Sequence, residues 1–133
     1  MRTFTQALLL TGTAVAVLTP ATAHAAAPRT TTRLLGTYDA GRAAVIGEAG
    51  RAAGVWSAYS VRSGFAGDRL TITFTPRTKA RPAEQPVYTA AFDQVDDAWS
   101  ECEQAGADGV ARRVWVSYRC RTGFVPSYTL FVR

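Results

Sequence analysis

The sequence predicts an α+β fold: two tandem β-α-β-β repeats forming one antiparallel sheet of about six strands, with two helices on one face. Three observations lead there. First, residues 55–65, VWSAYSVRSGF, recur as residues 114–124, VWVSYRCRTGF. At an offset of 59, Gly47, Gly50, Ala52, Val55, Trp56, Tyr59, Arg62, Gly64 and Phe65 fall on Gly106, Gly109, Ala111, Val114, Trp115, Tyr118, Arg121, Gly123 and Phe124. Nine identities in 19 ungapped positions, where unrelated sequence gives roughly one or two, are the mark of an internal duplication. Second, the apolar period switches from helical to alternating at the same place in each copy. Third, a unit of about 50 residues buries too little apolar surface to stand alone, so two must share a core.

The chain opens with a secretory signal. Arg2 supplies a short basic start, Ala7–Leu18 is an apolar run too short to span a bilayer, and Ala23-x-Ala25 has peptidase spacing. Residues 1–25 are expected to leave, with cleavage after Ala25 or Ala23, and residues 26–133 to form a single secreted, extracellular domain. Within it, repeat one covers about 31–75, a linker 75–86, and repeat two about 87–133.

The elements follow in order. TTRLLGTY (31–38) reads as a first strand. A weak helix is expected over Asp39–Gly50: Ala43, Ile46 and Gly50 share a face, Asp39 can cap the start, and Gly41 and Gly47 lower the propensity. Val55, Ser57, Tyr59 and Val61 then alternate onto one strand face, and Leu70, Ile72 and Phe74 onto the returning one. The prolines and charges of TPRTKARPAEQP (75–86) predict an exposed, extended joint. VYTAAF (87–92) opens the second copy. A stronger helix is expected over Asp93–Gly106, with Val95, Ala98, Trp99, Cys102 and Ala105 as the apolar stripe, acids in the first turn, and Gly106 as its C-terminal cap. Val114, Val116, Tyr118 and Cys120 alternate next, then Tyr128, Leu130 and Val132.

The offset also pairs the cysteines. Cys102 falls on Ala43 and Cys120 on Val61, so both are present in one copy and both replaced in the other. In a secreted chain this predicts a disulfide pinning the second helix to its sheet. The run Cys102-x3-Gly106-x2-Gly109-Val110, then Trp115-x2-Tyr118-x-Cys120 and the closing SYTLFVR, resembles short secreted proteins of actinobacteria. The resemblance covers chiefly the last 45 or so residues. It implies secretion and the disulfide and carries no catalytic residues across; the first copy departs from it by lacking both cysteines.

Chemistry is narrowed by composition. The single histidine, His24, lies in the signal region, so the mature domain has no Ser-His-Asp or Cys-His machinery and no His-ligated metal. No cofactor or metal site is read. Without Arg2, fourteen Lys+Arg face ten Asp+Glu, a net of +4 that permits contact with an acidic cell wall or protein. Strand alternation puts Trp56 and Trp115 opposite Tyr59 and Tyr118, beside Arg62, Arg119 and Arg121, where an aromatic-basic face would bind a sugar ring, an acidic peptide or another protein. The other reading of these tryptophans is packing against a sheet edge or the other copy. Arg77, Lys79 and Arg81 form a second candidate, a proline-bounded loop that is either presented to a partner or simply a solvated linker. Asp93, Asp96, Asp97, Glu101 and Glu103 read as a solvated helix face. No single-strand nucleic-acid signature appears. The expectation is a secreted, non-enzymatic binding or inhibitory domain contacting a protein or cell-wall component. Alternatives are a small carboxylate-based hydrolase and a structural envelope protein without a specific ligand.

Overall fold

The computed structural model describes residues 21–123 and 125–133; the signal reading for residues 1–20 lies outside them. Residues 21–30 form no regular element. The element order is β1 (Thr31–Tyr38), α1 (Arg42–Ala52), β2 (Ala58–Gly64), β3 (Gly67–Phe74), β4 (Gln85–Ala91), α2 (Ala98–Ala111), β5 (Tyr118–Thr122) and β6 (Ser127–Val132). Two helices and six antiparallel strands make a mixed α+β fold, but the strands do not share one sheet. They form two three-stranded sheets, ordered β1-β3-β2 and β4-β6-β5. The last strand of each half is its central one, so the chain leaves β3 from the middle of a finished sheet. Instead of extending that sheet, the halves interlock: α1 packs on its own sheet and touches β4, and α2 packs on its own sheet and touches β1. This closes both apolar inner faces, which one flat sheet with helices on a single side would leave half open.

The inner faces follow the expected alternation. Leu70, Ile72 and Phe74 on β3, and Leu130 and Val132 on β6, are buried in one continuous core with Leu35, Ile46, Cys102 and Ala105. Register shifts between Leu34 and Gly36 and between Pro86 and Tyr88 mark a bulge in each first strand, and the bulged residues Leu35 and Val87 are buried.

Both helices begin later than their periodicity predicts. Asp39 gives α1 no side-chain cap; Gly41, in the left-handed region at φ 81°, stands at its start. The Gly41 N–H is instead satisfied from across the fold, by the Asp68 carboxylate at 2.7 Å. Helix α2 is capped by Asp97, which accepts from the Ser100 N–H at 2.9 Å and from its hydroxyl at 2.7 Å. Gly106 does not end α2. It and Gly109 are interior and buried, because the Tyr118 and Trp115 rings occupy the space a Cβ would need. Gly47 and Gly50 make the same room for Tyr59 and Trp56.

The two tryptophans are therefore core residues, 3% and 1% exposed. They precede β2 and β5, so strand alternation never governed them. Each indole turns under its own helix and donates to a carbonyl there, Trp56 to Gly47 at 2.7 Å and Trp115 to Gly106 at 2.9 Å. The two rings stack on each other, centroids 6.4 Å apart and planes inclined by 30°, a contact worth about 1 kcal/mol beyond its burial. A second pair of residues 59 apart also meets. Arg42 grips Glu101 through Nε (3.2 and 3.1 Å) and Nη2 (3.1 Å), and its Nη2 donates to the Tyr88 hydroxyl at 2.5 Å. The side chains are 11% and 7% exposed, so Glu101 is not on a solvated face. The α1–β4 and α2–β1 contacts are likewise reciprocal in the 59-residue offset.

Cys102 and Cys120 are bonded, with Cα atoms 6.1 Å apart, and tie α2 to β5. Their counterparts Ala43 and Val61 lie on α1 and β2 in the other half.

Candidate functional site: a basic end and its anchored loop

The two helices end on one side of the molecule, and the basic residues gather there. Arg51 is in the last turn of α1. Arg112 caps α2, and Arg113 follows in the left-handed region at φ 62°, the place held by Gly54 (φ 69°) in the other half. Guanidinium groups beyond helix C-termini meet the negative end of the helix dipole, which favours this arrangement. Arg33, Arg112 and Arg113 line a hollow of about 440 Å³ with Pro76. A second, of about 400 Å³, is lined by Arg51, Arg77, Trp56 and Thr75.

The loop joining β3 to β4 crosses this end and is held along its length. The Arg77 N–H donates to the Arg113 carbonyl at 2.8 Å. Arg133 reaches back to the carbonyls of Arg81 (3.3 Å) and Pro82 (3.0 Å). Arg81 donates to the Gln85 side chain at 2.6 Å, and Gln85 in turn donates to the Ala53 carbonyl at the end of α1. Glu84 pairs with Arg121 at 2.8 Å and with Arg119 at 3.6 Å. The expected extended linker is thus a bent, anchored loop with Thr78, Lys79 and Ala80 exposed at its tip. Burial first, then the neighbouring Arg81 charge, lowers the Arg77 guanidinium below the ordinary arginine range. Arg33, Arg77, Lys79, Arg112 and Arg113 close no ion pair among the described residues.

The sequence-predicted residues are thus redistributed. Arg77, Lys79 and Arg81 share the loop, and Arg119 and Arg121 join it through Glu84, with the Arg121 guanidinium 5.3 Å from the Phe131 ring centroid. Arg62 is exposed on the outer face of the other sheet, opposite Arg69. Trp56 and Trp115 present no aromatic face to solvent, so the Trp/Arg surface is not assembled. Sequence reasoning missed Arg33, Arg112 and Arg113; the signal was a basic cluster just past a predicted apolar helix.

Of the acidic residues, Glu103 accepts from the Tyr118 hydroxyl at 2.9 Å, and Asp108 from Tyr38 at 3.0 Å. No group of three or more His, Cys, Asp or Glu among the described residues could hold a metal ion. No described helix is long and apolar enough to cross a membrane. No protein family, curated protein or solved structure matches the chain.

Proposed function

We propose that the chain is a secreted, non-enzymatic binding domain built from two tandem β-α-β-β repeats, and that it contacts an acidic cell-wall polymer through its basic end. One observation carries the reading: Arg33, Arg77, Arg112 and Arg113 line two neighbouring hollows, and none of them closes an ion pair among the described residues. Unpaired guanidiniums on a fixed frame suit a repeating anion, whose charges are met by several weak contacts and whose affinity falls with salt. The anchored loop lowers the ordering cost of binding. The disulfide agrees with export into an oxidising space.

The test compares two variants of equal charge change. Arg77→Glu with Arg113→Glu alters the basic end; Arg62→Glu with Arg69→Glu alters the outer face of the first sheet. Binding to purified cell wall is measured across a salt series. The first variant is expected to lose binding by at least about tenfold, and the second by less than about threefold. Equal losses would mean that net charge alone governs retention, and the proposed surface would be wrong.

A further inference from the structure

The segment that runs from β4 through α2 has the reverse character. Residues 85–111 hold six of the ten acidic residues and no Lys or Arg. The connection from β4 to α2, Phe92–Asp97, is longer than its counterpart between β1 and α1, Asp39–Gly41. The longer connection brings three aromatic rings together. Tyr128 of β6 is flanked by Phe92, centroids 5.3 Å apart and planes inclined by 42°, and by Trp99, at 5.0 Å and 68°. Phe92 and Trp99 are each 47% exposed. With Val95, Asp96 and Asp97 they line a hollow of about 290 Å³. Phe65, at the tip of the β2–β3 hairpin, and Val125 are also exposed.

We infer that this hollow is a cation-binding corner that takes an alkylammonium group, with the side chain of a basic peptide and a small free amine told apart by the titration below. Two arguments lead there. Phe92 and Trp99 are each inclined to Tyr128, so the rings line the hollow at different angles and not as one flat platform for a sugar; exposed aromatic faces attract an organic cation. The charged residues that line the hollow are both carboxylates, Asp96 and Asp97. Asp97 is committed to capping α2, where hydrogen bonds from Ser100 hold its carboxyl below the usual range and keep it ionised. Asp96 lines the hollow and closes no ion pair among the described residues.

The intact protein is titrated with tetralysine, with choline as a minimal cation, and with 3,3-dimethylbutan-1-ol, the neutral shape-mimic of choline. The indole N–H resonance of Trp99 is followed, and those of the buried Trp56 and Trp115 report that the fold is unchanged. Tetralysine and choline are expected to shift Trp99 saturably, choline with a Kd of about 1 mM. The neutral mimic should bind at least about tenfold more weakly than choline. Read by titration calorimetry, which does not need the indole, Trp99→Leu should weaken tetralysine about tenfold and Asp96→Asn about threefold. Equal binding of choline and its neutral mimic would reduce the corner to an apolar hollow. Tetralysine binding indifferent to Trp99→Leu, or absent, would overturn the assignment. Neither result depends on the basic end.

Discussion

The Arg42–Glu101 pair offers the sharpest test of how the halves hold together. Both side chains are nearly removed from water, and the carboxylate receives three guanidinium contacts of 3.1–3.2 Å. Changing Glu101 to Gln deletes the charge and leaves the guanidinium buried with the Tyr88 hydroxyl as its main partner. Removing one member of a buried pair costs about 3–5 kcal/mol, because the survivor remains desolvated and unpaired. Replacing both, as Arg42→Met with Glu101→Leu, removes the stranded charge and should cost less than about 1 kcal/mol. A domain of this size has roughly 5–10 kcal/mol to lose, so the single variant is measurable but severe. Urea unfolding with the disulfide intact, followed by tryptophan fluorescence, is measured for Glu101→Gln and for the four corners of a double-mutant cycle: the wild type, Arg42→Met, Glu101→Leu and the two combined. A single-variant loss below about 1 kcal/mol would refute the reasoning, since the pair would then behave as a solvated surface contact.

Three further outcomes are expected. Arg113→Gly should stabilise by about 1 kcal/mol, because Arg113 occupies a left-handed backbone that its counterpart Gly54 adopts without cost; thermal melting reads this as a rise of roughly 4–8 °C. Joining Ala43→Cys with Val61→Cys should form a second bridge with the same 18-residue separation as the first, adding about 3 kcal/mol that is lost on reduction. The Tyr38 hydroxyl is buried and donates to Asp108, and burial first and that carboxylate second push its ionisation far above the ordinary tyrosine range. A group raised in the folded state contributes fully below its unfolded pKa, so stability should hold up to about pH 10 and then fall by as much as about 1.4 kcal/mol per pH unit. Melting between pH 9 and 12 checks this, and Tyr38→Phe should flatten the fall.

Much of the architecture was legible because local patterns agreed. Leu70, Ile72 and Phe74 alternate and are buried; Cys102 and Cys120 meet because their positions differ together from Ala43 and Val61. The division into two sheets was not legible, since pairing partners are set by tertiary closure and the alternation of β1 or β4 is the same in either arrangement. Trp56 and Trp115 were misplaced because alternation was extended two and three residues ahead of where β2 and β5 begin. A better signal was present: the glycine six residues before each tryptophan clears room on the helix for the indole, and the glycine nine residues before clears room for the tyrosine three residues after it. Glu101 was placed on the solvated face because its partner, Arg42, lies 59 residues away. The basic end needed the fold as well, for it joins residues from both strand ends, both helix ends and the loop.

The choice of Arg at 42 and Glu at 101 governs which assemblies the chain permits. Two first halves brought face to face would set Arg42 against Arg42, and two second halves Glu101 against Glu101, each a like-charge clash in a dry interface. Each half accordingly recognises its opposite and rejects its twin. The one alternative compatible with this rule is reciprocal exchange of halves between two chains, and the bonds from Arg133 and Gln85 that hold the intervening loop bent stand against that hinge opening.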